Sequence, residues 1–309
     1  MLNNTTSDGV CTVYKYNSGL NSWVIIEIIL PNVVIASNRD NYGILYFQWP
    51  VNHQKVFDYS TSLLYTYDVG SDSWSGKPTT ASEAIEEKID YTQLDPCPKE
   101  VFEQLKNASN LDIKDILEKL GAESQYTVNM VMESTDKNYA ETQRISKYNY
   151  EIRVDRDRYE DGTKLFKATA LIHEIIHAYF LSIVDDYNYT PSTALLTFPE
   201  LFEAYVKKTY PNPDDADHKV MADKYADAMA SALKEYDSNF SVPYQTVPDQ
   251  VYKDLAWASL NEAPIFNKTF PPGSADNIRI LNRYRAESSG HAVEQGTPNA
   301  QSPVGKPCN

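Results

Sequence analysis

The sequence predicts an α+β protein in which a mostly helical domain with a small sheet follows a β-rich N-terminal region. Three observations predict it. Residues 1–80 are rich in Tyr, Val, Ile and Trp, set in short runs between turn clusters, which is the composition of strands. Beyond residue 98, apolar residues recur at helical spacing in one segment after another. Among those helices, "YTVNMVME" and "NYEIRVDR" alternate with period two and read as strands of the small sheet.

The β-rich region contains an internal echo. "VYKYNSGLNSW" (13–23) and "LYTYDVGSDSW" (64–74) share an apolar residue, two alternate tyrosines, a Gly-containing turn, Ser and Trp. Such a segment predicts a hairpin whose aromatic residues meet across the strands. The pattern and its spacing resemble a kelch-type propeller blade. Two copies do not close a ring, so a small sheet or sandwich is the alternative.

Residues 81–97 carry Pro and Thr and read as a linker. The segments "PKEVFEQLKN" and "LDIKDILEKLG" follow as short amphipathic helices, the second closed by Gly121. After the two strands come the apolar helix around "HEIIH" and four further helical segments, completing a domain over 98–288. The last stretch, 289–309, is rich in Gly, Pro and Ser and reads as a loose tail.

A net charge of -15, from 43 acidic and 28 basic residues, repels nucleic acid and anionic membranes, so neither is expected as a partner. The longest apolar run, "WVIIEIILPNVVIA", is broken by Glu27 and Pro31 and is too short to span a bilayer. The N-terminus lacks the basic and apolar regions of a signal peptide. Acidic, Tyr- and Asn-rich composition leans toward a bacterial protein that is exported or carried on a larger polypeptide. Cys11, Cys97 and Cys308 are odd in number and far apart, which predicts neither a disulfide scaffold nor a thiolate zinc cluster.

The segment "ATALIHEIIHAYFLSIV" (168–184) poses the chemical question. Residues 170–181 are apolar apart from His173, Glu174, His177 and the hydroxyl of Tyr179. A helix apolar on all sides is buried, and buried ionisable groups are costly unless paired or bound to metal. Four residues on a helix place His173 and His177 on one face, about 6 Å apart along the axis, within reach of one ion. That is the HExxH arrangement, in which the histidines hold zinc and Glu174 serves a metal-bound water.

On this motif and the strand-then-helix order before it, residues 98–290 resemble the zincin metallopeptidases. The resemblance implies a zinc ion, a peptide or protein substrate, and an edge strand that pairs with extended substrate, a place "NYEIRVDR" would occupy. A third ligand is needed. Asp186 reaches the ion only if the helix breaks sharply after His177. Glu203 would give a thermolysin-like set but shares a polar face with Glu200 and Lys207. His218 begins the buried stripe Met221, Ala222, Tyr225 and Met229, in a helical first turn that keeps imidazole neutral. His218 is therefore the expected third ligand, a set that resembles SprT-like proteases, although those proteins act near DNA and this chain is too acidic to carry that role over. Tyr225, on the same face, is the expected catalytic electrophile beside Glu174. His53 and His291 have no partner at ligand spacing and read as surface residues. Two other readings stand beside the peptidase: a zincin-like module that binds metal or a partner without turnover, and a protein or glycan binder built on the N-terminal strands.

Overall fold

The computed structural model describes residues 3–5, 11–17, 22–29, 54–58, 61–107, 113, 116–117, 126–135, 139–146, 148–159, 162–186, 197–238 and 247–308. They fall into two compact units, Met1–Lys88 and Ile89–Asn309. His53 lies outside the described residues.

The first unit holds two three-stranded antiparallel sheets among its described residues. One is β1 (Asn3–Thr5), β2 (Cys11–Asn17) and β3 (Ser22–Ile29); the other is β4 (Lys55–Asp58), β5 (Leu63–Asp68) and β6 (Ser73–Pro78). The two echo segments lie on the β2–β3 and β5–β6 hairpins in the same register, with Tyr16 opposite Trp23 and Tyr67 opposite Trp74. In the second hairpin the Tyr67 and Trp74 rings are 5.2 Å apart, an aromatic cross-strand pair. Helix α1 (Ala81–Glu87) follows, closed by a capping box in which Thr80 and Glu83 satisfy each other's backbone N–H.

The second unit contains β7 (Ile89–Gln93), α2 (Pro96–Lys106), β8 (Thr127–Glu133), β9 (Ala140–Ser146), β10 (Asn149–Asp155), the short α3 (Arg156–Tyr159), α4 (Lys164–Asp186), α5 (Phe198–Thr209), α6 (Asp215–Ser238), α7 (Asp249–Ala258), α8 (Pro264–Thr269) and α9 (Ala275–Ser289). Its sheet has the order β7-β8-β10-β9, parallel except for β9, which lies antiparallel at the edge. Of the segment "LDIKDILEKLG", Ile113, Ile116 and Leu117 are helical and buried at the i, i+3, i+4 spacing of one helix face.

Three expectations are corrected by this arrangement. The stretch 81–97 is not a linker, since it forms α1 and contributes β7 to the sheet of the second unit. Strand β10, the expected edge strand, is interior, with β8 on one side and β9 on the other; its near-continuous burial is that of a strand covered on both faces. The edge belongs to β9, "AETQRIS", whose mostly polar sequence hides it from a search for apolar alternation.

The third correction concerns the tail, which is tied to the domain and not loose. Cys97 and Cys308 are disulfide-bonded across 211 residues, contrary to the expectation from their spacing. The fully buried Glu287 carboxylate accepts from the backbone N–H of Val304 (2.7 Å) and Gly305 (3.2 Å) and from the Thr163 hydroxyl (2.7 Å). Arg283 donates to the Ser302 carbonyl (2.6 Å). Pro and Gly prevent regular structure here, but the free backbone groups still find buried partners.

The same contacts start α4. Thr163 Oγ1 accepts from the Phe166 N–H, and the Lys306 carbonyl accepts from the Lys164 N–H, so two of the donors that a helix N-terminus leaves unsatisfied are met. Helix α4 is long and apolar enough to cross a membrane by length and composition, yet 83% of that window is enclosed by protein. Its far end is anchored by Asp185, which accepts from Arg144 (2.8 Å) and from the Tyr150 hydroxyl (2.6 Å). Helix α4 is thereby held at its start by the tail and at its far end by strands of the sheet.

Candidate metal centre

Helix α4 brings His173, Glu174 and His177 together, with one potential ligand atom from each lying within 4.8 Å of the other two. The His173 and His177 rings are 6.1 Å apart between centroids, and Phe198 from α5 packs against both, at 4.5 and 5.6 Å. Glu174 is 7% exposed. Its Oε2 lies 2.6 Å from the hydroxyl of Thr142 on the edge strand β9 and 3.4 Å from His177 Nδ1. The Thr142 hydroxyl also lies 3.0 Å from the Glu174 carbonyl, which pins β9 to this turn of the helix.

Burial pushes the Glu174 carboxyl upward, but the hydrogen bonds from His177 and Thr142 and the adjoining imidazoles outweigh it, so the group sits below the ordinary Glu range. Burial lowers His173 to about 4, against the opposing pull of Glu174. At neutral pH the cluster is therefore one carboxylate and a neutral His173, the forms in which both bind metal.

These side chains line a cleft of about 420 Å³. The lining also includes Ser259, Asn261 and Glu262, just beyond the end of α7, and Tyr284 from α9. Sequence reasoning missed Thr142, Ser259, Glu262 and Tyr284. Only Glu262 had a local signal, an acidic residue shortly after a helical segment, and nothing in the chain reveals that it lines the same cleft as a motif 85 residues earlier. Tyr284 is held well above its ordinary pKa by burial and by the nearby Tyr139, Glu174 and Glu262.

The structure does not bring His218 to this cluster. His218 Nδ1 lies 2.6 Å from the Asp214 carbonyl and Nε2 lies 2.6 Å from Glu203 Oε2. Both partners accept, so both ring nitrogens donate and none is left to ligate. Burial lowers its pKa, but Glu203 and the Asp214 carbonyl more than reverse this, and the group is raised, opposite to the neutral state expected from the helix N-terminus. His218 and Glu203 instead line another cavity, of about 1060 Å³. Helix α4 continues unbroken to Asp186 and denies that residue the turn it would need. His291 is exposed.

Tyr225 does come to the site. It is fully buried, with its hydroxyl 3.1 Å from His173 Nδ1 and 3.0 Å from Ser259 Oγ. The donor set on α4, two imidazoles and a carboxylate without thiolate, suits a borderline divalent cation. Comparison of the chain with models of protein families, with curated proteins and with solved structures returned no match.

Proposed function

We propose that the chain is a zinc-dependent peptidase, of the zincin type that the HEIIH motif resembles. The observation that carries this reading is Glu174: a carboxylate 7% exposed, held ionised by His177, His173 and Thr142, within 4.8 Å of two imidazole donors on the same helical turn. His173 and His177 would hold the metal. Glu141 and Glu262 both line the cleft; Glu141 lies opposite Arg153 on β10, and Glu262, an exposed carboxylate, is the group we assign to the third position. Zinc so held supplies an activated water with a pKa near 7 and a polarised carbonyl.

Glu174 takes the proton from the attacking water and delivers it to the leaving amine. The Thr142 hydrogen bond keeps the carboxylate aimed and ionised between these transfers. Strand β9, antiparallel at the sheet edge and bonded to α4 through Thr142, offers its free side to an extended peptide, as edge strands do in strand addition. This is the substrate strand that the resemblance implies, moved from β10 to β9.

The test is Glu174→Gln, which keeps the shape and removes the base. The variant is expected to bind zinc as the parent does and to cleave an unstructured protein about 10²–10⁴-fold more slowly. Cleavage at the parental rate with zinc in place would overturn the assignment.

A further inference from the structure

We propose that Tyr225 and Ser259 form a positioning pair that fixes the tautomer of His173, with the proton on Nδ1 and the lone pair on Nε2, the nitrogen presented to the metal. The metal half of this statement rests on the peptidase reading; the tautomer half stands on hydrogen bonds alone.

Each hydroxyl in this buried chain of hydrogen bonds has a single proton to donate. Ser259 caps the end of α7, and its Oγ lies 2.7 Å from the Ala256 carbonyl, one of the last four carbonyls that a helix leaves without an N–H partner. A carbonyl only accepts, so the Ser259 proton points there; the other neighbour, Met229 Sδ at 3.2 Å, is also an acceptor. In either case that proton is turned away from Tyr225. Tyr225 must then donate across the 3.0 Å contact to Ser259 Oγ. Its single proton is thereby committed, and the lone pair left on the phenol oxygen faces His173 Nδ1 at 3.1 Å. Nδ1 must carry a proton to complete that bond.

A neutral imidazole has one N–H and one lone pair, so with Nδ1 protonated the lone pair falls to Nε2. The three residues come from α4, α6 and the end of α7, so packing of separate helices determines the tautomer. The chain ends on the negative pole of a helix, which favours Nδ1–H as donor and increases the basicity of Nε2. Free histidine in water prefers the opposite tautomer, so the two states are distinguishable.

The experiment is long-range proton–nitrogen correlation of the histidine rings in the intact, ¹⁵N-labelled, metal-free chain, with His173 identified by the signal lost in His173→Gln. The parent is expected to show a protonated Nδ1 and a bare Nε2. Ser259→Ala frees the Tyr225 proton to turn toward Nδ1 and is expected to move the ring proton to Nε2; Tyr225→Phe, which retains the ring, is expected to release the preference. Zinc ion alone, titrated against a chromophoric chelator, is expected to bind either variant about 10–100-fold more weakly than the parent. A parental His173 protonated on Nε2 overturns the inference whether or not the variants fold. A parental ring protonated on Nδ1 in a chain that binds no zinc upholds the positioning pair and sinks the metal reading instead.

Discussion

His218 and Glu203 were the two contenders for the third ligand, and each disables the other, because a 2.6 Å contact between imidazole and carboxylate makes an ion pair of both. Glu262 has no such engagement in the cleft. Glu262→Gln is therefore expected to weaken zinc binding at least tenfold, since a catalytic zinc site needs three protein donors, while His218→Ala leaves the zinc content of the purified chain unchanged. Metal analysis of the two variants separates the assignments. The residue types of the motif itself were legible in "HEIIH", because a helix fixes which side chains share a face within five residues. The third donor was not, because the His218 argument used only its own helix, and its neighbour on α5 and the carbonyl of Asp214 decided its protonation. Tyr225 shows the same limit: its placement near His173 followed from the buried stripe of α6, but Ser259, on another helix, determines what its hydroxyl does.

At the scale of the element, α4 was readable because its apolar surround, its length and its polar triplet are all local properties. Strand β9 was not. Its sequence "AETQRIS" has the polarity of an edge, and its identity as a strand comes from pairing with β10 and from Thr142 reaching Glu174. The expected edge, β10, is instead buried nearly continuously, as a strand covered on both faces is. Thr142→Val keeps the shape of the side chain and removes the hydroxyl that helps hold Glu174 below its ordinary pKa. Loss of that bond raises the Glu174 pKa, and a base must be ionised to act. The acid limb of the pH profile of kcat/KM is therefore expected to move to higher pH, with zinc content unchanged. An acid limb that stays in place would remove Thr142 from the mechanism.

Across the whole second unit, long-range ties determine where the site helix begins. The sequence could not reveal the Cys97–Cys308 link, because 211 residues separate the partners and a Pro- and Gly-rich tail offers no periodicity to follow. Yet the tail brings backbone donors to Glu287 and a carbonyl to the first N–H of α4. Cys308→Ser, or reduction of the intact chain, is expected to cost about 2–5 kcal/mol of stability and to lower the unfolding temperature. The amide of Lys164 should also exchange faster with solvent once its acceptor is released. Unchanged exchange at Lys164 would mean that the contacts of Glu287 and Arg283 suffice to hold the tail in place.

The central claim, that two imidazoles one turn apart on a buried helix hold a catalytic metal, is tested most directly by the zinc content of the purified chain beside that of the His173→Ala, His177→Ala double variant. The account predicts close to one zinc per parental chain and almost none in the folded variant. A parent that retains no zinc after exposure to it, or a variant that retains as much as the parent, would contradict it.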